Sequence, residues 1–184
     1  MIRIRAKLVG EQILPFIHDG DNILDFGCGD MTIADFLTKS KSVYITGIDI
    51  VDYHYKRLKF IKYTKGRLPF EDNEFSVALA VFTLHHTDNP HFYLKELIRV
   101  SNNRIIIIED TYINRFEKCV AYIVDWIGNR VVSWSINIPF NFKSMKEWKL
   151  LFDINDLTVK HIKKFYPHPI PYIPTHNVII VLDK

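Results

Sequence analysis

The chain has 184 residues, 48% of them hydrophobic and 24% charged, and 24 Lys and Arg stand against 21 Asp and Glu for a net charge of +3. Such a balance describes one folded domain over residues 1–184 rather than a disordered chain, and the charge is too weak to demand a nucleic-acid partner. Two cysteines, Cys28 and Cys119, exclude a disulfide framework and a four-cysteine zinc site, and without CxxC or HExxH no metal site is expected.

Arg3, Arg5 and Lys7 precede no long apolar stretch, so no cleaved signal is expected. The apolar runs 77–82 and 105–108 are far too short to span a bilayer, and a reducing, cytoplasmic setting is the expectation.

Lys7 to Ile17 carries Leu8, Val9, Ile13, Leu14 and Ile17 near helical spacing, closed by Asp19-Gly20-Asp21. Asn22 to Phe26 is a short apolar run meeting Gly27-Cys28-Gly29, which reads as a buried strand entering a tight turn. Asp30 and Thr32 can cap the next helix, with Ile33, Phe36 and Leu37 inward. Val43 to Ile50, Lys59 to Tyr63, Phe75 to Phe82 and Arg104 to Ile108 read as four further strands. Asn89-Pro90 opens a helix carrying Phe92, Leu94, Leu97, Ile98 and Val100. Strands apolar on both faces, alternating with helices, imply an α/β layered fold with a mostly parallel sheet.

The last third is different. Asn114 to Gly128 reads as a helix apolar nearly all round, and such a helix is buried or covers a pocket or partner. Lys146 to Phe152 is a short helix. Leu157 to Phe165 and Asn177 to Leu182 read as closing strands joined by a Pro-rich loop, able to pair antiparallel.

The chemistry-bearing stretch is Ile23 to Met31, where a strand ends in Asp-x-Gly-x-Gly and a helix begins at once. Glycines there let the backbone approach a ligand, and the helix N-terminus offers free N–H groups to an anion. Asp49 closes the second strand 20 residues beyond Gly29, where an acid accepts both hydroxyls of a ribose. The pair points to a ribose-bearing cofactor.

With these stretches go Gly47-Ile48-Asp49, 68–75 (Leu-Pro-Phe-Glu-Asp-Asn-Glu-Phe), Leu84-His85-His86-Thr87-Asp88, 96–100 and 105–109. As a set they resemble a class I S-adenosylmethionine-dependent methyltransferase of the small-molecule type. The resemblance implies a Rossmann-like, seven-stranded, mostly parallel sheet with helices on both faces and the last strand antiparallel. It implies S-adenosylmethionine as cofactor and S-adenosylhomocysteine as product. Carried over residue by residue, Asp25, Gly27, Cys28 and Gly29 would hold the methionine part, and Asp49 with Ile50 the ribose. Thr64 and Lys65 would surround the adenine, and Val81 would lie beside the methionine end.

Three departures stand out. Met31 occupies the family's third glycine position and narrows the loop. Thr64 replaces the acid usual before Leu-Pro-Phe. Only 18 residues separate Asp49 from Leu68, too few for a full crossover helix and strand, so a shortened connection between strands two and three is expected. Tyr53 or Tyr55 then either covers the adenosine or packs on the sheet edge.

In such a reaction the protein aligns the acceptor and can remove its proton. His86 and His85 follow strand four as candidate bases; the alternative is that one caps the loop and the other packs inside. Glu109 and Asp110 end strand five. Neighbouring strand residues point opposite ways, so Glu109 is the preferred pocket residue unless it is a structural acid. Tyr112 is a lining candidate. His168 and His176 are expected at the surface, and His54 and His161 in solvent. Residues 111–145 form a candidate lid, with Tyr122, Trp126 and Trp134 suited to an aromatic or lipid-like acceptor; core burial or a homodimer contact explains the same residues.

Two other functions remain open. Lys56, Arg57, Lys59, Lys62, Lys65 and Arg67 interleave with Tyr55, Phe60 and Tyr63 as an RNA or tRNA methyltransferase would need. Against it, Val81-Phe82-Thr83-Leu84 stands where base-amine methyltransferases carry Asn/Asp-Pro-Pro-aromatic. A non-catalytic methyltransferase-fold binding protein would account for Met31 and Thr64.

Overall fold

Ile105, Ile106, Ile107 and Ile108 are all fully buried, which an alternating strand permits only when both faces of its sheet are covered. A computed structural model shows how this is done for residues 2–52, 58–132, 139, 141–166 and 176–184, with the side chains of 2, 3 and 128–132 excepted. Seven strands form one sheet: β1 (Asn22–Phe26), β2 (Tyr44–Asp49), β3 (Lys59–Lys62), β4 (Phe75–Val81), β5 (Ser101–Thr111), β6 (Thr158–Phe165) and β7 (His176–Asp183). Their spatial order is β3-β2-β1-β4-β5-β7-β6. β1 through β5 pair in parallel, and β7 runs antiparallel to both β5 and β6. The sheet and its reversed last strand are as the resemblance implies.

Two apolar layers seal it. Ile105 and Ile107 join Leu24, Phe26, Leu94, Leu97, Trp148 and Phe152 under α3 (Pro90–Val100) and α5 (Met145–Ile154). Ile106 and Ile108 join Val9, Ile13, Ile23, Ala34 and Leu37 under α1 (Ile2–Ile13) and α2 (Thr32–Ser40). The period of two therefore sorts neighbouring residues onto opposite helical layers.

Caps explain where the helices start. Asn89 accepts from Phe92 N–H with Pro90 at the first turn, and Ser144 with Glu147 forms a reciprocal capping box at α5. Helix α1 begins earlier than the periodicity predicts, at Ile2, and passes into a short 3₁₀ turn at Leu14–Phe16, where Pro15 lacks an N–H for further α-helix. Between β2 and β3 lie only residues 50–58, and Ile50–Asp52 and Leu58 are non-helical. Tyr53, His54 and Tyr55 fall outside the described residues.

Of the two expectations for helix α4 (Arg115–Val132), burial or covering a pocket or partner, burial all round is not met. Ala121 is buried, while Phe116 (73% exposed), Ile123 and Trp126 (45%) face outward. His161 also departs from expectation: it is half-buried, its ring tilted against Phe16 at 4.8 Å between centroids. None of the described helices is long and apolar enough to cross a membrane.

The Leu68-Pro69-Phe70 turn is held by Arg99 of α3. Its guanidinium donates to the carbonyls of Leu68 (3.0 Å) and Phe70 (2.8 Å) and pairs with Glu96, whose carboxylate accepts the Leu68 N–H at 2.7 Å. Replacing Arg99 by Met leaves Glu96 in a nearly buried site without its cation, so urea unfolding should show a loss of about 3 kcal/mol.

Candidate active site

The turn from β1 into α2 runs through three left-handed residues: Gly27 (φ +71), Gly29 (φ +53) and Met31 (φ +58). Gly27 is required sterically, since a Cβ there would lie 2.1 Å from Thr83 Cγ2. Gly29 faces open space, as a residue under a ligand must. The loop is tied to β2 by Gly27 N–H donating to the Ile48 carbonyl (2.8 Å) and Gly29 N–H donating to Asp49 Oδ2 (2.9 Å). Asp49 Oδ1 accepts from Val51 N–H at 3.1 Å. Asp30 contributes its carboxylate to Thr32 N–H at 3.0 Å, although Met31 is the residue at the helix cap.

Met31 does not narrow this loop. Its side chain is fully buried beneath it, and its Cε and the Cys28 Sγ occupy the space above Gly47 where a Cβ would lie 2.6 and 2.7 Å from them. The side chain thus fills the core between α2 and β2, while its backbone takes the conformation a glycine would. Burial and the Asp25 charge push the Cys28 thiol up, so it is no nucleophile.

A cleft of about 250 Å³ opens beside the loop, lined by Asp25, Gly27, Cys28, Gly29, Asp30 and Val81, and closed by Arg5, Val9 and Phe82. Five of the nine expected cofactor residues therefore meet in one cavity. Asp49 and Ile50 are not among the residues lining the cleft; Asp49 accepts from the Gly29 N–H beside it, and Ile50 is exposed. Thr64 and Lys65 are exposed and outside the cleft, and Lys65 pairs with Asp88 at 2.6 Å. The Arg5 guanidinium lies 4.7 Å from the Phe82 ring centroid. No sequence pattern singled Arg5 out; only the packing of α1 brings it here.

Asp25 is buried at the floor. Burial, and then the charge of Asp49, raise its pKa to about 7. A second buried acid, Asp110, is raised to about 6 by burial and by Glu109, with the His85 charge opposing. It lies on the same face of the sheet as Ile106 and Ile108, and its carboxylate accepts from Asn177.

Glu109 points to the other face. Fully buried, it accepts from the N–H groups of Thr83 (3.2 Å) and Leu84 (2.7 Å) and from His85 Nδ1. It is thus a structural acid holding His85 rather than a residue lining the cleft. His85 is itself buried, its ring stacked on Phe142 at 4.5 Å. Burial opposes its charge, but Glu109, Asp125 and Asp110 outweigh it and raise its pKa to about 10. His86 retains 26% side-chain exposure, and burial together with the His85 charge lowers its pKa to about 4. Asp125 of α4 reaches both rings, 3.8 Å from His85 Nε2 and 3.6 Å from His86 Nε2. Asp125 had no signal in the sequence, because helical periodicity marks apolar residues and not the one acid that turns inward.

The remaining candidates lie elsewhere. Tyr112 donates to Glu147 at 2.9 Å, and His176 faces Glu117 at 3.4 Å. Trp134 and His168 fall outside the described residues, as do Lys56 and Arg57. Tyr63, expected among the stacking aromatics, is buried with its hydroxyl on the Gly66 carbonyl.

Residues 24–107 match the family profile described as methyltransferase domain. The chain is 28% identical over 111 residues to 27-O-demethylrifamycin SV methyltransferase of Amycolatopsis mediterranei (strain S699). That match takes 53% of this chain and 40% of the relative, so the chain spans less than half of that relative's length. A S-adenosylmethionine-dependent methyltransferase of Aquifex aeolicus superposes with a TM-score of 0.69 at 18% identity, covering 98% of this chain and 92% of that one. Geranyl diphosphate methyltransferase in complex with S-adenosylmethionine superposes with a TM-score of 0.72 at 14% identity, covering 98% and 84%. The fold is that of the class I S-adenosylmethionine-dependent methyltransferases. The glycine turn beside the cleft lies within the matched stretch 24–107, while Arg5, Ala6 and Val9 of its lining lie before it.

Two substitutions test this region. Met31→Gly should relieve about 1 kcal/mol of left-handed strain but empty a fully buried site, for a net loss of about 2 kcal/mol in denaturant unfolding. Asp25 has its folded pKa raised above the unfolded value, so its contribution favours folding at acid pH and is lost as pH rises through about 7. Asp25→Asn should therefore stabilise the free protein above pH 7, by an amount on the order of 4 kcal/mol, and should flatten the decline of melting temperature between about pH 4 and about 7.

Proposed function

We propose that this chain is an S-adenosylmethionine-dependent methyltransferase acting on a small-molecule acceptor with a bulky apolar body. The observation that carries the reading is the cleft itself, where an open left-handed glycine turn meets a buried acid, Asp25, with the strand-ending Asp49 hydrogen-bonded to that turn. The residues suit the cofactor. Asp25 and Asp49 put negative charge where a cation would sit, the Arg5 guanidinium offers a partner to a carboxylate, and Asp49 with Ile50 gives a polar edge beside an apolar one. Bound there, S-adenosylmethionine supplies an electrophilic methyl group on a sulfonium.

The protein's own residues do the rest. Gly27, Cys28 and Gly29 bring backbone close to the ligand without a side chain in the way, and Val81 and Phe82 wall the cleft. His86 is the residue that receives the acceptor's proton, having partial access to solvent; His85 and Glu109 position it from behind. Helix α4, within the 111–145 segment, covers the acceptor. Tyr122, Ile123, Trp126 and Ile127 of α4 line an apolar groove of about 380 Å³, which suits an aromatic or lipid-like body. The relatives' names point the same way, toward 27-O-demethylrifamycin SV and geranyl diphosphate. Nucleic acid is disfavoured, because Tyr63 is buried and offers no face for a base.

Calorimetric titration with S-adenosylmethionine and S-adenosylhomocysteine tests the reading. Micromolar binding is expected, weakened at least about tenfold by Asp49→Ala or Arg5→Ala, each of which removes a charged or hydrogen-bonding partner. A cation over Asp25 favours its carboxylate, so binding near pH 7 should release a fraction of a proton, seen as buffer-dependent heat, and Asp25→Asn should abolish that release. No binding up to millimolar cofactor by the folded protein would overturn the assignment.

A further inference from the structure

The side chains at the far end of β4 hold more than a base needs. His85 Nε2, His86 and Asp125 present ligand atoms that all lie within 4.8 Å of one another. The two closest pairs, to Asp125 Oδ1, measure 3.8 and 3.6 Å. Donors on a tetrahedral ion with bonds of about 2.0 Å stand roughly 3.3 Å apart, so closing this set takes side-chain shifts of about 1.5 Å or less. No backbone movement is needed for that.

The surroundings are those of a built site. Glu109 accepts a hydrogen bond from His85 Nδ1–H, which fixes the ring and directs Nε2 toward Asp125. Glu109 is fixed in turn by the N–H groups of Thr83 and Leu84. A carboxylate behind a histidine is the usual support of a metal-bound imidazole. Phe142 stacks on His85 and keeps that side dry. The buried Nδ1 of His86 has no hydrogen-bond partner among the described residues, so nothing there locks the second ring against turning.

We propose that His85, His86 and Asp125 are the protein ligands of a divalent transition-metal ion, with Glu109 as the positioning carboxylate behind His85. Two imidazoles and one carboxylate suit zinc, iron(II), manganese or cobalt better than magnesium or calcium, which prefer oxygen throughout. Three protein ligands leave a position for water or for an acceptor oxygen. The ion would join helix α4, through Asp125, to the rim of β4, and so fix the cover of the site to its floor. It also uses the nitrogen that His86 needs as a base, so ion and base are alternative uses of one lone pair. The site stands on donor geometry and does not depend on the methyl-transfer reading.

The full chain, stripped with a chelator, is titrated with Zn²⁺ by calorimetry and with Co²⁺ by visible absorption. One ion per chain is expected at micromolar or tighter Kd, with the intense visible bands of low-coordinate cobalt. His86→Gln and Asp125→Asn should each weaken binding by about tenfold to a hundredfold, as ligand and support changes do, and Glu109→Gln by a similar factor. His18→Gln, which alters an exposed histidine beside Asp21, should change nothing. Melting curves of each variant show that it is folded; should Glu109→Gln fail to fold, His86→Gln and Asp125→Asn decide. Absence of stoichiometric binding overturns the proposal, and so does an affinity unchanged in both of those variants. The cofactor titration on the same metal-free sample separates the two readings: metal without cofactor binding overturns only the methyltransferase assignment, and cofactor without metal binding only this site.

Discussion

The buried carboxylate of Glu109 is the constraint on which the catalytic rim depends. A charge with no exposure must be paired and hydrogen-bonded, and here two backbone N–H groups and one imidazole share the task. Satisfying it fixes three things together. The chain after β4 must turn so that Thr83 and Leu84 present their N–H groups. His85 must point inward. His86, next in sequence, is then left at the edge with its ring 4.0 Å from that of His85. Burial, and then the neighbouring His85 charge, holds the His86 pKa down, while Glu109, Asp125 and Asp110 hold that of His85 up.

Thr83 links this rim to the glycine turn. Its N–H serves Glu109, and its hydroxyl lies within hydrogen-bond distance of the carbonyls of Gly27 (3.2 Å) and Val81 (3.0 Å). The same side chain excludes any Cβ at Gly27. The glycine turn and the Glu109 rim, built on neighbouring strands, thus share one small residue. Phe82 carries the strain of this arrangement, with φ +52.

Negative charge at the cleft is set before any ligand arrives. Asp25 and Asp49 approach each other because β1 and β2 are adjacent and parallel, with Asp25 one residue before the end of β1 and Asp49 at the end of β2. Their repulsion, added to burial, leaves Asp25 partly protonated near neutrality. That is a cost to the free protein which a cationic ligand removes, so stability given up in folding reappears as affinity.

The strands, the parallel order implied by them, the glycine turn and the acid after β2 could all be read from the chain, because period-two burial and left-handed turns leave marks in residue type. The shortened β2–β3 connection is pure counting. What could not be read were contacts made across long sequence separations. Met31 looked like an obstruction in the loop, but its side chain leaves the loop for the core above Gly47. Glu109 and Asp110 are neighbours with similar chemistry, and only the packing of α4 and the β4 turn on one face, against α1 on the other, gives them different partners. Arg5 and Asp125 stand on helices whose patterns report apolar faces alone. The sequence by itself determined the sheet and the place of the glycine turn, since both rest on local backbone and nearest-strand rules. The tertiary structure alone decided which histidine is buried, which acid supports it and which side chains close the site, since buried charges are placed by partners far away in the chain.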